Sequence, residues 1–165
     1  MSPSEKAFHV SWDQFHRDAK ALSWRLMDKD WKAMIAITRG GLVPAAIIAR
    51  ELDVRLIETF CVASYKDKAQ GGMNIIKSFG SAIEDIITQG DEDKILIIDD
   101  LVDTGNTGKL MQELLPKAHL ATVYAKPEGR KIVDSYMTEV SQDTWIHFPW
   151  DLSLQFSQPA VSSRV

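Results

Sequence analysis

Apolar positions along this chain follow two rhythms. Phe15, Ala19, Leu22 and Leu26 recur at helical spacing. Ser11 stands just before them, with Gln14 three residues on, so Ser11-Trp12-Asp13-Gln14 predicts a capped helix start. Met34-Ile35-Ala36-Ile37 is instead an unbroken apolar run, the mark of a buried strand. Leu42 to Leu52 predicts a helix with Pro44 in its first turn. Leu56 to Ala63 predicts another strand, with Cys61 buried in its run Phe60-Cys61-Val62-Ala63. Residues 66–80 are polar, carry Gly71-Gly72 at their centre, and read as a mobile loop. Ser81 to Thr88 predicts a short helix packed by Ile83, Ile86 and Ile87. After the polar break Gln89-Gly90-Asp91-Glu92-Asp93, the run Ile95-Leu96-Ile97-Ile98 predicts a second fully buried strand. Lys109 to Leu115 has helical periodicity and stops at Pro116, and Leu120 to Ala125 predicts a further strand. The tail after Pro159 reads as loosely held. Strands alternating with helices predict an α/β fold with a mainly parallel, doubly wound sheet. At 165 residues, 1–165 reads as one domain with one sizeable core, without internal repeats or low-complexity segments.

The second buried run ends on chemistry. Ile98 is followed by Asp99-Asp100-Leu101-Val102-Asp103, then by Thr104-Gly105-Asn106-Thr107-Gly108 and a helix. Open α/β sheets place their ligands at such strand ends. Glycine lets the backbone turn tightly and approach a ligand, and the N–H groups of a helix start attract a phosphate. Thr104 and Thr107 add hydroxyl donors. Asp99 and Asp100 repel a phosphate but suit sugar hydroxyls, a hydrated Mg²⁺, or both. Asp103 lies beside the phosphate loop, within reach of what the sugar carries. The combination predicts a sugar phosphate as ligand, together with a divalent metal.

Rival motifs fail on spacing. A Walker loop needs four residues between its glycines and a hydroxyl after its lysine, whereas Gly105 to Gly108-Lys109 is too short and Leu110 follows. No G-x-G-x-x-G follows any apolar run. Asp103-Thr104-Gly105 matches an aspartic-protease triplet, but those enzymes face two such carboxylates and this chain has one copy. A phospho-receiver also has an acid pair and a later Lys-Pro, but its acids belong near the chain's start. A solvated acidic turn accounts for the carboxylates but not for the Thr-Gly-Asn-Thr-Gly that follows.

Four apolar residues, two acids, two apolar residues and Asp-Thr-Gly-x-Thr together resemble the phosphoribosyl-diphosphate (PRPP) motif of type I phosphoribosyltransferases. That resemblance implies a single-domain fold with a mainly parallel sheet flanked by helices, a small hood built from the chain ends and a flexible loop. It implies that Asp103-Thr104-Gly105-Asn106-Thr107 hold the 5′-phosphate, with Leu101 and Val102 in the same PRPP-binding stretch. Asp99 and Asp100 would then contact the ribose hydroxyls, Asp100 being the metal contact for Mg²⁺, and Asp103 the acid/base near purine N7. Thr38-Arg39-Gly40-Gly41 closes the first buried run with glycines and a cation, which suits a second anion. Alone it fits a surface turn as well; beside the PRPP motif, the resemblance implies that Arg39 and Gly40 bind PRPP, whose 1-diphosphate is the second anion. The resemblance also implies a strained or cis peptide at Thr38-Arg39.

Further stretches resemble the 6-oxopurine enzymes, and the bacterial xanthine-guanine branch above all. They are Val10-Ser11-Trp12-Asp13, Arg39 to Pro44, Pro116-Lys117-Ala118-His119, Ala125-Lys126-Pro127, Gln142-Asp143-Thr144-Trp145-Ile146 and Pro149-Trp150-Asp151. The branch implies a purine-salvage enzyme that converts guanine, xanthine and, less well, hypoxanthine to their nucleoside monophosphates. Lys126, a pure donor, would select a 6-oxo group; as a bare residue it reads equally as a surface lysine. Trp145 would stack on the purine, with the Trp145 and Ile146 carbonyls accepting from a 2-amino group; on spacing alone the tryptophan reads as core. Ala63-Ser64-Tyr65 resembles the start of the catalytic loop, but Gly71 stands where the branch has an arginine, and Lys66, Lys68 and Lys77 are the candidate substitutes. A homotetramer or dimer is implied as well. A PRPP-sensing regulator of nucleic acid, or an adenine, orotate or uracil enzyme, shares the PRPP motif, and Lys126 with Trp145-Ile146 favours an oxopurine.

Composition narrows the setting. A net charge of −4 gives no basis for general nucleic-acid binding, so purine base and PRPP are the expected partners, with no nucleic acid. One cysteine excludes an internal disulfide framework and fits a reducing compartment. No apolar run reaches membrane-spanning length, and Met1 to Lys6 has no signal-peptide core. The expectation is a cytoplasmic protein without a transmembrane segment, its five tryptophans leaving open a peripheral contact with the inner face of the cell membrane. His9, His16, His119 and His147 lack metal-ligand spacing, and none is assigned to chemistry.

Overall fold

The computed structural model describes residues 6–64, 72–151 and 161. In chain order the elements are β1 (Lys6–His9), α1 (Trp12–Arg25), β2 (Ala33–Thr38), α2 (Leu42–Glu51), β3 (Ile57–Ser64) and β4 (Met73–Lys77). They continue with α3 (Ser81–Thr88), β5 (Ile95–Val102), α4 (Asn106–Leu114), β6 (His119–Ala125), β7 (Ser135–Glu139) and β8 (Thr144–His147). Six strands form one sheet in the order β4-β3-β2-β5-β6-β7, parallel except for β4.

The unbroken apolar runs have a direct cause. Met34, Ala36, Leu96 and Ile98 face a core closed by Phe15, Ala19 and Leu22 of α1 and by Ala45 and Ile48 of α2. Ala33, Ile35, Ile37, Ile95 and Ile97 face the opposite core, closed by Ile83 and Ile86 of α3 and by Met111 of α4. Strands covered on both faces cannot alternate apolar with polar. Ser11 caps α1 as expected, its hydroxyl accepting the Gln14 N–H at 3.1 Å. Residues 81–88 form the predicted helix, with Ile83 and Ile86 buried and Ile87 partly so.

From β2 the chain crosses over α2 to β3 on one side; from β5 it crosses over α4 to β6 on the other. β2 and β5 are neighbours, so the crossovers diverge between them and leave a crevice at the strands' carboxyl ends. Both sequence motifs end there. The hood is present as a second, two-stranded sheet in which β1 pairs parallel with β8, from Lys6↔Thr144 to His9↔His147.

Three expectations need correcting. Residues 66–80 are not all loop, because Met73–Lys77 is a strand antiparallel to β3. Its Asn74 to Lys77 are exposed, so it gains little burial and leaves no core-facing pattern to read. Helix α4 begins at Asn106, three residues before the periodic stretch, since its first turn faces the site rather than the core. Cys61 is only half-buried, lying in a strand near the sheet edge. Tyr65, Lys66, Lys68 and Gly71 lie outside the described residues, as does the tail after Pro159 apart from Val161.

Candidate active site

Strand β5 carries its acids out of the core in order. Ile95 to Ile98 are buried, Asp99 and Asp100 half-buried, and Asp103 and Thr104 exposed. The side chains of Leu101 and Val102 pack into opposite cores, so only their backbone groups can serve a ligand. Gly105 holds φ at +92° and turns the chain into α4, a conformation that costs little only without a Cβ. No side chain among the described residues caps α4, so its first-turn N–H groups are free for an anion. A cavity of about 460 Å³ opens between that first turn, at Asn106 and Lys109, and Ser64 and Gly72 at the facing ends of β3 and β4.

The neighbouring turn meets this loop closely. A Cβ on Gly40 would lie 2.5 Å from the Asp100 carboxylate, so any larger residue there would displace that carboxylate. The Thr38–Arg39 peptide is cis, as the resemblance implies, and Arg39 is exposed at the crevice rim.

Asp99 and Asp100 form a pair short of counter-charge. Among the described residues no lysine, arginine or histidine nitrogen comes within 4 Å of either. Asp99 accepts the Asp100 N–H at 2.9 Å. Burial, then the adjacent Asp100 charge, pushes the Asp99 carboxyl well above its ordinary range. Burial also raises that of Asp100. Such a pair favours a cation. The described residues bring together no three His, Cys, Asp or Glu that could hold a metal. Mg²⁺ is commonly held by one or two carboxylates and completed by water and substrate oxygens, so the donor set fits a metal shared with a phosphorylated substrate.

Asp103 is arranged differently. Its Oδ2 accepts from the buried Lys126 ammonium at 3.2 Å, and its Oδ1 accepts from the Gln142 amide at 2.7 Å. Lys126 comes from the end of β6 and Gln142 from the turn between β7 and β8. Three separate segments thus converge on one carboxylate. Trp145, which spacing alone read as core, is 60% exposed. Ile146 is buried and can offer a ligand only its backbone. Gln142 belongs to a stretch that carries the resemblance, but nothing in the sequence ties it to an aspartate 39 positions away.

A phosphoribosyl transferase domain model matches residues 11–157. The chain is 57% identical over 159 residues to the xanthine-guanine phosphoribosyltransferase of Desulfotalea psychrophila, covering 95% of this chain and 94% of that one. Among solved structures, it superposes on a purine phosphoribosyltransferase from Pyrococcus horikoshii with a TM-score of 0.71 at 24% identity, covering 92% of this chain and 99% of that chain. A Helicobacter pylori xanthine-guanine-hypoxanthine phosphoribosyltransferase superposes with a TM-score of 0.69 at 21% identity, covering 88% and 94%. At those identities the two structures speak for the fold.

Proposed function

The chain belongs to the phosphoribosyltransferase family, and from that premise we propose that it transfers the 5-phosphoribosyl group of PRPP to N9 of a 6-oxopurine. Guanine, xanthine and, less well, hypoxanthine are the acceptors; the products are GMP, XMP and IMP with diphosphate. The observation that carries this reading is the convergence of Lys126 and Asp103 beside the desolvated Asp99–Asp100 pair. A cation for the base and carboxylates for the sugar thus share one crevice.

The reaction needs positive charge to develop at the anomeric carbon while diphosphate leaves. Thr104 to Thr107 and the open start of α4 hold the 5′-phosphate. Arg39 and the Gly40 backbone meet the diphosphate. Asp99 and Asp100 fix the ribose hydroxyls and keep the reacting atoms in line. Asp100 is the metal contact, and Mg²⁺ bound with PRPP supplies charge neutralisation on the leaving group. Asp103 handles the proton at N7. Lys126 donates to O6, which an adenine amino group cannot accept. Trp145 stacks on the base, and the carbonyls of Trp145 and Ile146 accept from the 2-amino group.

Residues 1–165 are read as one such domain. No described helix is long and apolar enough to cross a membrane, and we place the enzyme in the cytoplasm, as a homotetramer or dimer. Exposed Leu42, Ile57, Ile75 and Ile76 support self-association, which light scattering during size exclusion tests.

The deciding experiment is nucleotide formation from PRPP and Mg²⁺ with guanine, xanthine, hypoxanthine, adenine, orotate and uracil. Turnover of the three oxopurines alone is the expected result. Turnover of none of the six, with PRPP still bound, would leave a PRPP-sensing regulator instead.

A further inference from the structure

The turn joining β7 to β8 is unusually well tied for a surface turn. Ser141 Oγ donates to Asp143 at 2.6 Å and lies 2.6 Å from the Thr144 hydroxyl. The Thr144 N–H returns to the Ser141 carbonyl at 3.1 Å, and Thr144 is buried. Gln142 projects from the middle of this turn and uses both ends of its amide. Its oxygen accepts the Glu128 N–H at 3.0 Å, and its nitrogen donates to Asp103 Oδ1 at 2.7 Å. Glu128 follows Lys126 by two residues, so one amide bridges the loop after the lysine and the aspartate that the lysine faces.

This matters because Asp103 sits on a loop with half its side chain open to water. One donor fixes one oxygen and leaves the carboxylate free to swivel about that contact. Two donors on separate oxygens fix its plane. Lys126 must also serve the incoming base, and its ammonium has three hydrogens to divide. Gln142 carries no charge and, among the described residues, its amide nitrogen has no second partner to serve. An amide whose oxygen is already committed to a backbone N–H cannot flip without losing both bonds.

We propose that Gln142 is a positioning residue for the phosphoribosyl transfer: it holds the Asp103 carboxylate in plane while Lys126 turns to the base. The proposal rests on the functional reading above. It also gives the rigid turn a purpose, since three residues beyond Gln142 stands Trp145, so the base-stacking face and the proton-handling carboxylate are set from one piece of backbone.

Two substitutions separate this role from a structural one. Gln142→Glu keeps an oxygen for the Glu128 N–H but removes the donor to Asp103. Gln142→Met, of similar length, removes both. The assay is guanine turnover with saturating PRPP and Mg²⁺, with KM for PRPP measured alongside kcat and thermal midpoint. The wild-type chain turns guanine over; if it does not, the functional reading itself fails and takes this inference with it. Given wild-type turnover, both variants should lose about tenfold or more in kcat while KM for PRPP stays within about twofold, since misorientation costs the chemical step and not PRPP binding. Wild-type kcat in Gln142→Glu would overturn the proposal, because it would leave Gln142 only a tether for the Glu128 loop. So would a loss in which KM for PRPP and thermal midpoint change in proportion to kcat.

Discussion

Asp99 and Asp100 on one hand, and Asp103 on the other, lie within five positions of one strand end, yet their environments are opposite. The first two are half-buried, press on each other and have no cation among the described residues. The third is open to solvent and has a donor on each oxygen. The first pair is a site held in deficit, which ligand and metal can relieve. The third is already organised, as the proposed role of handling a proton at a defined point would require. Reading three acidic residues as one motif hides this division of labour.

The largest way to break the comparison is at Asp103. Asp103→Asn keeps one oxygen to accept from Gln142 or Lys126 but cannot take up a proton from N7. Turnover should fall about a hundredfold or more, with KM for PRPP little changed and far-UV circular dichroism intact. A variant that keeps wild-type kcat would remove Asp103 from the chemistry.

The two halves of the site were unequally legible in the sequence. Asp99, Asp100 and the loop to Thr107 are contiguous, so order and spacing alone suggest a sugar phosphate. The buried runs of β2 and β5 announce themselves because both faces are covered. The other half is assembled from residues 103, 126 and 142, which only the sheet order β5-β6-β7 brings together. There the sequence offers single residues whose bland reading is as good as the functional one, and only resemblance singled out Lys126 and Trp145. Short strands went unread for a similar reason. Every residue of β7 is at least partly exposed, and β1 and β8 each have four residues, too few to show a period.

A smaller effect tests the crevice between the two loops. Gly40 lies outside the left-handed region, so alanine is allowed there by the backbone, and its cost is contact alone. Its methyl would fall 2.5 Å from Asp100 Oδ2 and displace that carboxylate. Gly40→Ala should raise KM for PRPP by about tenfold and leave KM for guanine near its wild-type value, because Lys126 and Asp103 are untouched. An equal rise in both would mean that the substitution disturbs the whole strand end and not the PRPP half.

The smallest expected effect is on stability, and its sign is the reverse of the effect on function. Burial and then the Asp100 charge disfavour the ionised form of Asp99 and raise its pKa well above the ordinary 3.8. A carboxyl whose folded-state pKa is raised favours the fold when protonated, and that contribution disappears as pH rises through the raised value. Asp99→Asn removes the charge while its side-chain oxygen can still accept the Asp100 N–H. The variant should therefore be more stable than wild type by about 1 kcal/mol, a rise of about 2–4 °C in thermal midpoint for a chain of this size, while losing activity. The advantage should be absent well below pH 3.8, where wild-type Asp99 is protonated both folded and unfolded, and should widen as pH rises above that value. Thermal scans across that range, without PRPP or Mg²⁺, read the effect directly. A midpoint difference that does not change with pH would assign it to packing, and the contrast between a strained pair and a satisfied Asp103 would lose its electrostatic basis.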